Sequence, residues 1–261
     1  MLFPNVFRRL TLLSSLIQSD FQRRYLGTFF GAFWAFAAPL ATISVLLFVF
    51  NIGFRSGPVQ GVRFDLWLIT GLIVWFYISD GITSGSNSII EYSFLVKKIQ
   101  FPTELLPVVK TFSSLYVHIV SLVLLLCLYI HTGNYPSPHW AQLLYYLFAL
   151  IVFVLAISMI GSVIQVFFRD FQGVISIIMQ IGLWGTPVLW EAKILPERFA
   201  PLVYLNPTSY IVQGYRESLL FNVWFFEKPD QTIYFWAVTV ILLGIGFFLF
   251  DRSKRDFADV L

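Results

Sequence analysis

A single cysteine, Cys127, is the only sulfhydryl among 261 residues. It excludes an intrachain disulfide and any thiol-based metal centre, and it reads as a small buried apolar residue. Charge is scarce as well: Asp, Glu, Lys and Arg together make up 12% of the chain, about half of the roughly 25% found in soluble domains. The three histidines, His118, His131 and His139, are scattered and form no ligand spacing. No G-x-x-x-x-G-K-[ST] loop is present, so the chain has no phosphate cradle with which to hydrolyse ATP alone. H-E-x-x-H and the G-x-S-x-G nucleophile elbow are missing too. What is plentiful is apolar surface: 58% hydrophobic residues, 19% aromatics and 29 phenylalanines. A soluble fold of this length would leave too much of it facing water, so lipid is the natural solvent.

A membrane helix needs about 20 mostly apolar residues. Thr28–Ile52, Leu66–Ile90, Leu105–Ile130, Trp140–Phe168 and Ile233–Phe250 meet that test. A sixth stretch, Val174–Trp190, is shorter and is interrupted by Gly182, Gly185 and Pro187. The expected fold is an all-α membrane protein, one domain over residues 1–261, with six transmembrane helices and both termini on one side. Arg8, Arg9, Arg23, Arg24, Lys97, Lys98, Lys110, Arg169, Arg252, Lys254 and Arg255 fall on that side. The positive-inside rule makes it cytoplasmic.

Before the first span, Val6, Leu10, Leu13 and Ile17 recur at helical spacing beside Arg8 and Arg9. Leu2–Ser19 is therefore expected to be an amphipathic helix on the membrane surface, part of a cytoplasmic interface segment over residues 1–25. Residues 88–102 read as a short cytoplasmic helix ended by Pro102. Residues 186–226 are aromatic yet broken by Pro187, Pro196, Pro201 and Pro207. Broken backbone at membrane depth survives only inside protein or along a cavity. The expectation is a pair of re-entrant gate helices before the last span; the other reading is a surface loop with an amphipathic helix at Thr208–Leu220.

Ionisable groups inside the spans are few: Asp80 in the second, Lys110 and His118 in the third. A proton- or ion-coupled carrier generally strings such groups along the midplane. Their sparsity points to a pathway powered from outside the membrane. Asp80 is expected to pair with Lys110 or to mark a helix end. Aromatics stand where charges do not. Phe30 and Trp34 lie in the first span, Trp75 and Tyr77 in the second, and Trp184, Trp190, Tyr204, Tyr210 and Tyr215 in the broken segment. Sugar rings stack their C–H faces on such rings, so a glycan pathway is one reading of the set. Interfacial aromatic belts are the other.

Four blocks then carry a resemblance over nearly the whole chain. The first is Asp20-Phe21-Gln22-Arg23-Arg24-Tyr25, followed by Gly27-Thr28, Gly31, Trp34 and Pro39-Leu40. The second is Leu95-Val96-Lys97-Lys98-Ile99-Gln100-Phe101-Pro102-Thr103-Glu104. The third is Phe168-Arg169-Asp170, and the fourth runs through Thr186-Pro187, Leu195-Pro196, Leu205-Asn206-Pro207 and Tyr215-Arg216. In order and spacing they resemble the ABC-2 type polysaccharide export permeases, the membrane subunits of O-antigen, capsule and teichoic-acid exporters. Thr28, Phe30 and Thr186 stand where that family usually has Ser, Leu and Ser.

The resemblance implies a permease subunit in the bacterial inner membrane that moves a lipid-linked polysaccharide, O-antigen on undecaprenyl diphosphate, from cytoplasm to periplasm. It implies no catalytic site or cofactor in this chain. The partners would be a second copy of the chain and two copies of a separate ATPase subunit, which bind ATP and magnesium; nucleic acid has no place. Glu91, Phe94, Lys97, Lys98, Arg169 and Asp170 would couple to the ATPase. Arg23, Arg24 and Tyr25 would hold the lipid diphosphate, since Arg pairs phosphate oxygens bidentately. Phe30, Trp34, Trp75, Tyr77 and Trp184 would line the glycan pathway. Pro187, Trp190, Tyr204, Tyr210, Tyr215 and Arg216 would form the extracytoplasmic gate. An ABC-2 lipid or drug exporter is the nearest alternative. A membrane enzyme acting on polyprenyl phosphate is a more distant one, because no acidic metal-binding cluster is evident.

Overall fold

The computed structural model describes the chain except residues 1–2, 27–29, 32 and 99–101, and describes no side chain at 3–10, 26, 98 or 258. Phe101, Gln100, Ile99 and the side chains of Arg8, Arg9 and Lys98 thus lie outside the described residues. Among those described the fold is helical, with one isolated bridge, Val59 to Val62, in the turn after the first span. The helices are α1 Phe3–Phe21, α2 Phe33–Leu47, α3 Phe64–Ser86, α4 Ser88–Glu91, α5 Ser93–Lys98 and α6 Leu105–His131. They continue as α7 Leu143–Phe167, α8 Phe171–Gly185, α9 Ala200–Tyr204, α10 Pro207–Arg216, α11 Pro229–Ser253 and α12 Phe257–Val260.

Five helical stretches among the described residues are long and apolar enough to cross a membrane: Phe33–Gly53, Phe64–Ser86, Leu105–His131, Pro138–Phe167 and Pro229–Ser253. Each overlaps a span expected from hydropathy. The sixth expected stretch, Val174–Trp190, overlaps α8, which has 15 residues and is not among the five. At 1.5 Å per residue it is about 22 Å long, short of the roughly 30 Å hydrocarbon core. Its glycines and Pro187 stop it early, as the sequence pattern requires.

Helix α3 is the hub. It packs against α6, α7, α8 and α10, and 72% of its most apolar stretch is buried, against 6% for Phe33–Gly53. Small residues let α3 and α7 approach: a Cβ on Gly85 or Gly161 would collide with Ser158 or Ser86 across the contact. Ser158 Oγ also donates to the Gly81 carbonyl at 3.1 Å. Small side chains and cross-helix hydroxyl bonds are how helices associate where lipid supplies no hydrophobic drive. Helix α11 lies along the other side of α7, and α1 packs on α6. Phe257 of α12 contacts Phe167 and Phe250. The two terminal helices therefore sit at one end of the bundle, called here the terminal end.

Candidate functional site

A cavity of about 650 Å³ opens between α2, α3, α6 and α8. Its wall is mostly apolar and aromatic, with Trp34, Trp75, Phe76 and Tyr77 among the lining side chains. Helix α8 runs antiparallel to α3 along it: Gln172 donates to the Thr83 carbonyl at 3.5 Å near one end, and Gly182 faces the Trp75 ring near the other. Of the expected pathway residues, Trp34, Trp75 and Tyr77 line this cavity, whereas Phe30 and Trp184 do not. Phe30 instead packs edge-on to Trp34, and the Trp184 carbonyl accepts a 2.8 Å bond from Trp190 Nε1.

An ion pair closes the terminal end of the cavity. Both terminal nitrogens of Arg24 donate to the Asp80 carboxylate, Nη1 at 3.0 Å from Oδ2. Ser114 Oγ donates to the same oxygen at 2.6 Å. Asp80 therefore pairs with Arg24, which corrects the expected pairing with Lys110. The fork of Arg24 is already engaged, and an anion arriving there competes with a carboxylate. Arg23 points elsewhere, with its guanidinium 5.8 Å from the centre of the Tyr92 ring. Tyr25 shares the cavity wall with Arg24.

Lys110 serves a second cluster at the same end. Its ammonium lies 2.7 Å from Asp20 Oδ1 and 2.8 Å from Glu91 Oε2. Tyr92 Oη donates to Asp20 Oδ1 at 2.6 Å. Burial raises the pKa of Asp20, but its bond and charge interaction with Lys110 and the Tyr92 hydroxyl outweigh that and hold it below the usual carboxylate range. The cluster joins the N-terminal helix, the short helix α4 and α6. Glu91, expected to couple to the ATPase, is exposed and also gives its carboxylate to Lys110. Phe94, Lys97, Arg169 and Asp170 are exposed.

The opposite, distal end is pinned by Arg216, which is fully buried. Its guanidinium donates to the carbonyls of Pro187 at 2.6 Å, Val188 at 2.7 Å and Trp67 at 3.2 Å. It also lies 3.5 Å from the centre of the Trp67 ring. Gly71 makes room for it, since a Cβ there would strike the guanidinium. Tyr215 is equally buried, and its hydroxyl meets His118 Nε2 at 3.0 Å. Tyr210 Oη bonds Tyr145 at 2.8 Å and Thr232 at 3.0 Å. Of the expected gate residues, Pro187, Tyr215 and Arg216 belong to the packed interior, and Tyr204 is exposed.

With this arrangement in view, the family model described as ABC-2 type transporter matches residues 11–220, from the N-terminal helix past Arg216. The chain belongs to the ABC-2 type transporter family. Curated relatives align over almost all of it. An "O-antigen export system permease protein RfbA" of Myxococcus xanthus is 28% identical over 250 residues, covering 95% of this chain and 94% of that protein. A protein of the same name from Klebsiella pneumoniae is 26% identical over 251 residues, covering 96% and 95%.

As an ABC-2 transporter membrane subunit the chain is a multi-pass membrane protein, in keeping with its five long apolar helices. The sequence singled out Arg24, Glu91, Asp80 and Lys110, but not which of them pair. Asp20, Asp80, Lys110 and Ser114 belong to clusters assembled from three or more helices, which no local spacing announces. The signal was the polarity of Asp20, Asp80 and Lys110 within or beside apolar runs.

Proposed function

We propose that this ABC-2 subunit is the permease half of an ATP-driven exporter of lipid-linked polysaccharide, O-antigen on a polyprenyl diphosphate, in the bacterial inner membrane. The observation that carries the reading is the aromatic-walled cavity with an arginine–aspartate pair at one end, in a chain whose full-length relatives bear O-antigen export names. Aromatic walls let sugar rings slide by weak stacking without arrest at one point. Arg24, with Tyr25 on the same wall, receives the diphosphate by exchanging Asp80 for phosphate oxygens.

In this reading α8 serves as the sixth crossing, shortened because Thr186–Phe226 dips back as the gate. The terminal end faces the cytoplasm. Two copies meet along α2 and α8, whose side chains Phe33, Val45, Ile177 and Ile181 are exposed, and close their cavities into one passage. A separate ATPase, binding ATP and magnesium, docks on Phe94, Lys97, Lys98, Arg169 and Asp170. Its closure moves α4, and Lys110 passes that motion to α1 and α6.

Reconstitution of the permease with its ATPase in proteoliposomes tests this. ATP-dependent movement of a diphosphate-linked glycan across the bilayer is expected, with strong loss on Arg24→Gln or Trp75→Ala. Uphill transport by the permease without an ATPase would refute the proposal.

A further inference from the structure

Two hollows at the distal end play no part in the cavity described above. One, of about 370 Å³, is enclosed by the loop after α8, by α9 and α10, and by the start of α11. The other, of about 470 Å³, lies beside it. They share the walls Tyr204, Lys228, Gln231 and Tyr234, so together they make one continuous groove. Each is within the roughly 300–1,000 Å³ typical of small-ligand sites.

Three features of the groove match one ligand chemistry. Ser209, only 5% exposed, is among the residues that line the first hollow, and its Oγ, withdrawn behind that wall, has no hydrogen-bond partner. A buried hydroxyl left unpaired is costly, and a ligand hydroxyl in the hollow would satisfy it. The rings of Tyr204 and Tyr234 take no part in the ring contacts among the described residues, and Tyr204 is 60% exposed. Tyr234 is held in place by its hydroxyl, which donates to the Leu205 carbonyl at 3.0 Å. These are flat apolar faces with polar edges, suited to the C–H face of a pyranose.

The charges complete the match. In the first hollow Glu191 and Glu197 stand with Lys193 and with Lys228, whose ammonium is already paired with Glu217. The second adds Glu227 and Asp230, so the groove as a whole repels an anion such as phosphate. Glu191 is oriented by Gln60, whose Nε2 donates to its Oε1 at 2.7 Å. Carboxylates and amides around such a hollow accept from and donate to vicinal hydroxyls.

We propose that this groove is a saccharide-binding site, holding one or two neutral sugar residues through the Tyr204 and Tyr234 rings and the Ser209 hydroxyl. It rests on the glycan-export reading and adds a site to it, separate from the main cavity. A sugar held there after it leaves the passage is hindered from sliding back, so the groove acts as a ratchet at the exit.

The test uses the full chain in lipid nanodiscs and saturation-transfer NMR with methyl glycosides of glucose, galactose, mannose, rhamnose and N-acetylglucosamine. Transfer to at least one glycoside is expected. Tyr204→Ala, at an exposed position where folding is not at risk, should weaken binding about tenfold. Ser209→Ala, which removes an unpaired hydroxyl and preserves packing, should weaken it as well. No transfer to any glycoside, or binding unchanged in both variants, overturns the proposal. Export of lipid-linked glycan by a protein that binds none of the glycosides would sink the groove alone. Binding without export would sink the transport reading and leave the groove standing.

Discussion

Lys110 Nζ lies 2.7 Å from Asp20 Oδ1, with both side chains almost wholly withdrawn from solvent. Taking one partner from a buried pair leaves the other charge uncompensated, at about 3–5 kcal/mol. Lys110→Met is expected to lower thermal stability of the purified protein by that order. Because Asp20 is then the stranded charge, Asp20→Asn added to Lys110→Met should recover part of the loss. A double variant as unstable as the sum of the two single ones would show that the pair is not coupled.

The same pair gives stability a pH dependence. Asp20 has its folded pKa below the ordinary carboxylate value, so its contribution is present above the unfolded pKa and is lost as pH falls through the folded one. Unfolding temperature is expected to drop on acidification below the usual carboxylate range. Asp20→Asn should flatten that part of the profile; an unchanged acid limb in this variant would assign the effect to other carboxylates.

Arg216 has no carboxylate partner among its hydrogen bonds; it holds three backbone carbonyls instead. Its three guanidinium nitrogens each meet a different carbonyl, of Trp67, Pro187 and Val188, a spread that the single nitrogen of a shorter lysine does not reproduce. Arg216→Lys should therefore destabilise the protein almost as much as Arg216→Met, each stranded carbonyl costing about 1–3 kcal/mol. Limited proteolysis at the loop after α8 should accelerate in both. Native protection in Arg216→Lys would count against the fork geometry.

Asp80 occupies the fork that a phosphate would use. Asp80→Asn should raise affinity for inorganic pyrophosphate severalfold, as expected from removing a partly exposed pair worth about 1 kcal/mol. Calorimetry on nanodisc-embedded protein reads this directly. Arg24→Gln should abolish the binding, and pyrophosphate affinity indifferent to both changes would move the anion site elsewhere.

Much of the architecture was legible along the chain. The long apolar runs around Leu115, Phe153 and Leu242 locate spans because a bilayer demands a minimum apolar length whatever the neighbours are. Gly182, Gly185 and Pro187 announce a short α8 through backbone chemistry alone. The pairing of ionisable groups was not legible. Asp80 and Lys110 stand on consecutive spans, yet Asp80 meets Arg24, fifty-six positions away. Burial of Tyr215 and Arg216 was hidden as well, since an aromatic next to a cation reads equally as an interfacial anchor.

The amino-acid order by itself determined that the chain lives in lipid, where it crosses and which family it resembles, because hydropathy, helix breakers and motif spacing act over short stretches. The tertiary structure alone decided which charges neutralise each other, which aromatics face the cavity and that the distal groove exists. Those depend on how helices rotate and pack against α3, and side-chain partners from distant helices are fixed only once that packing is complete.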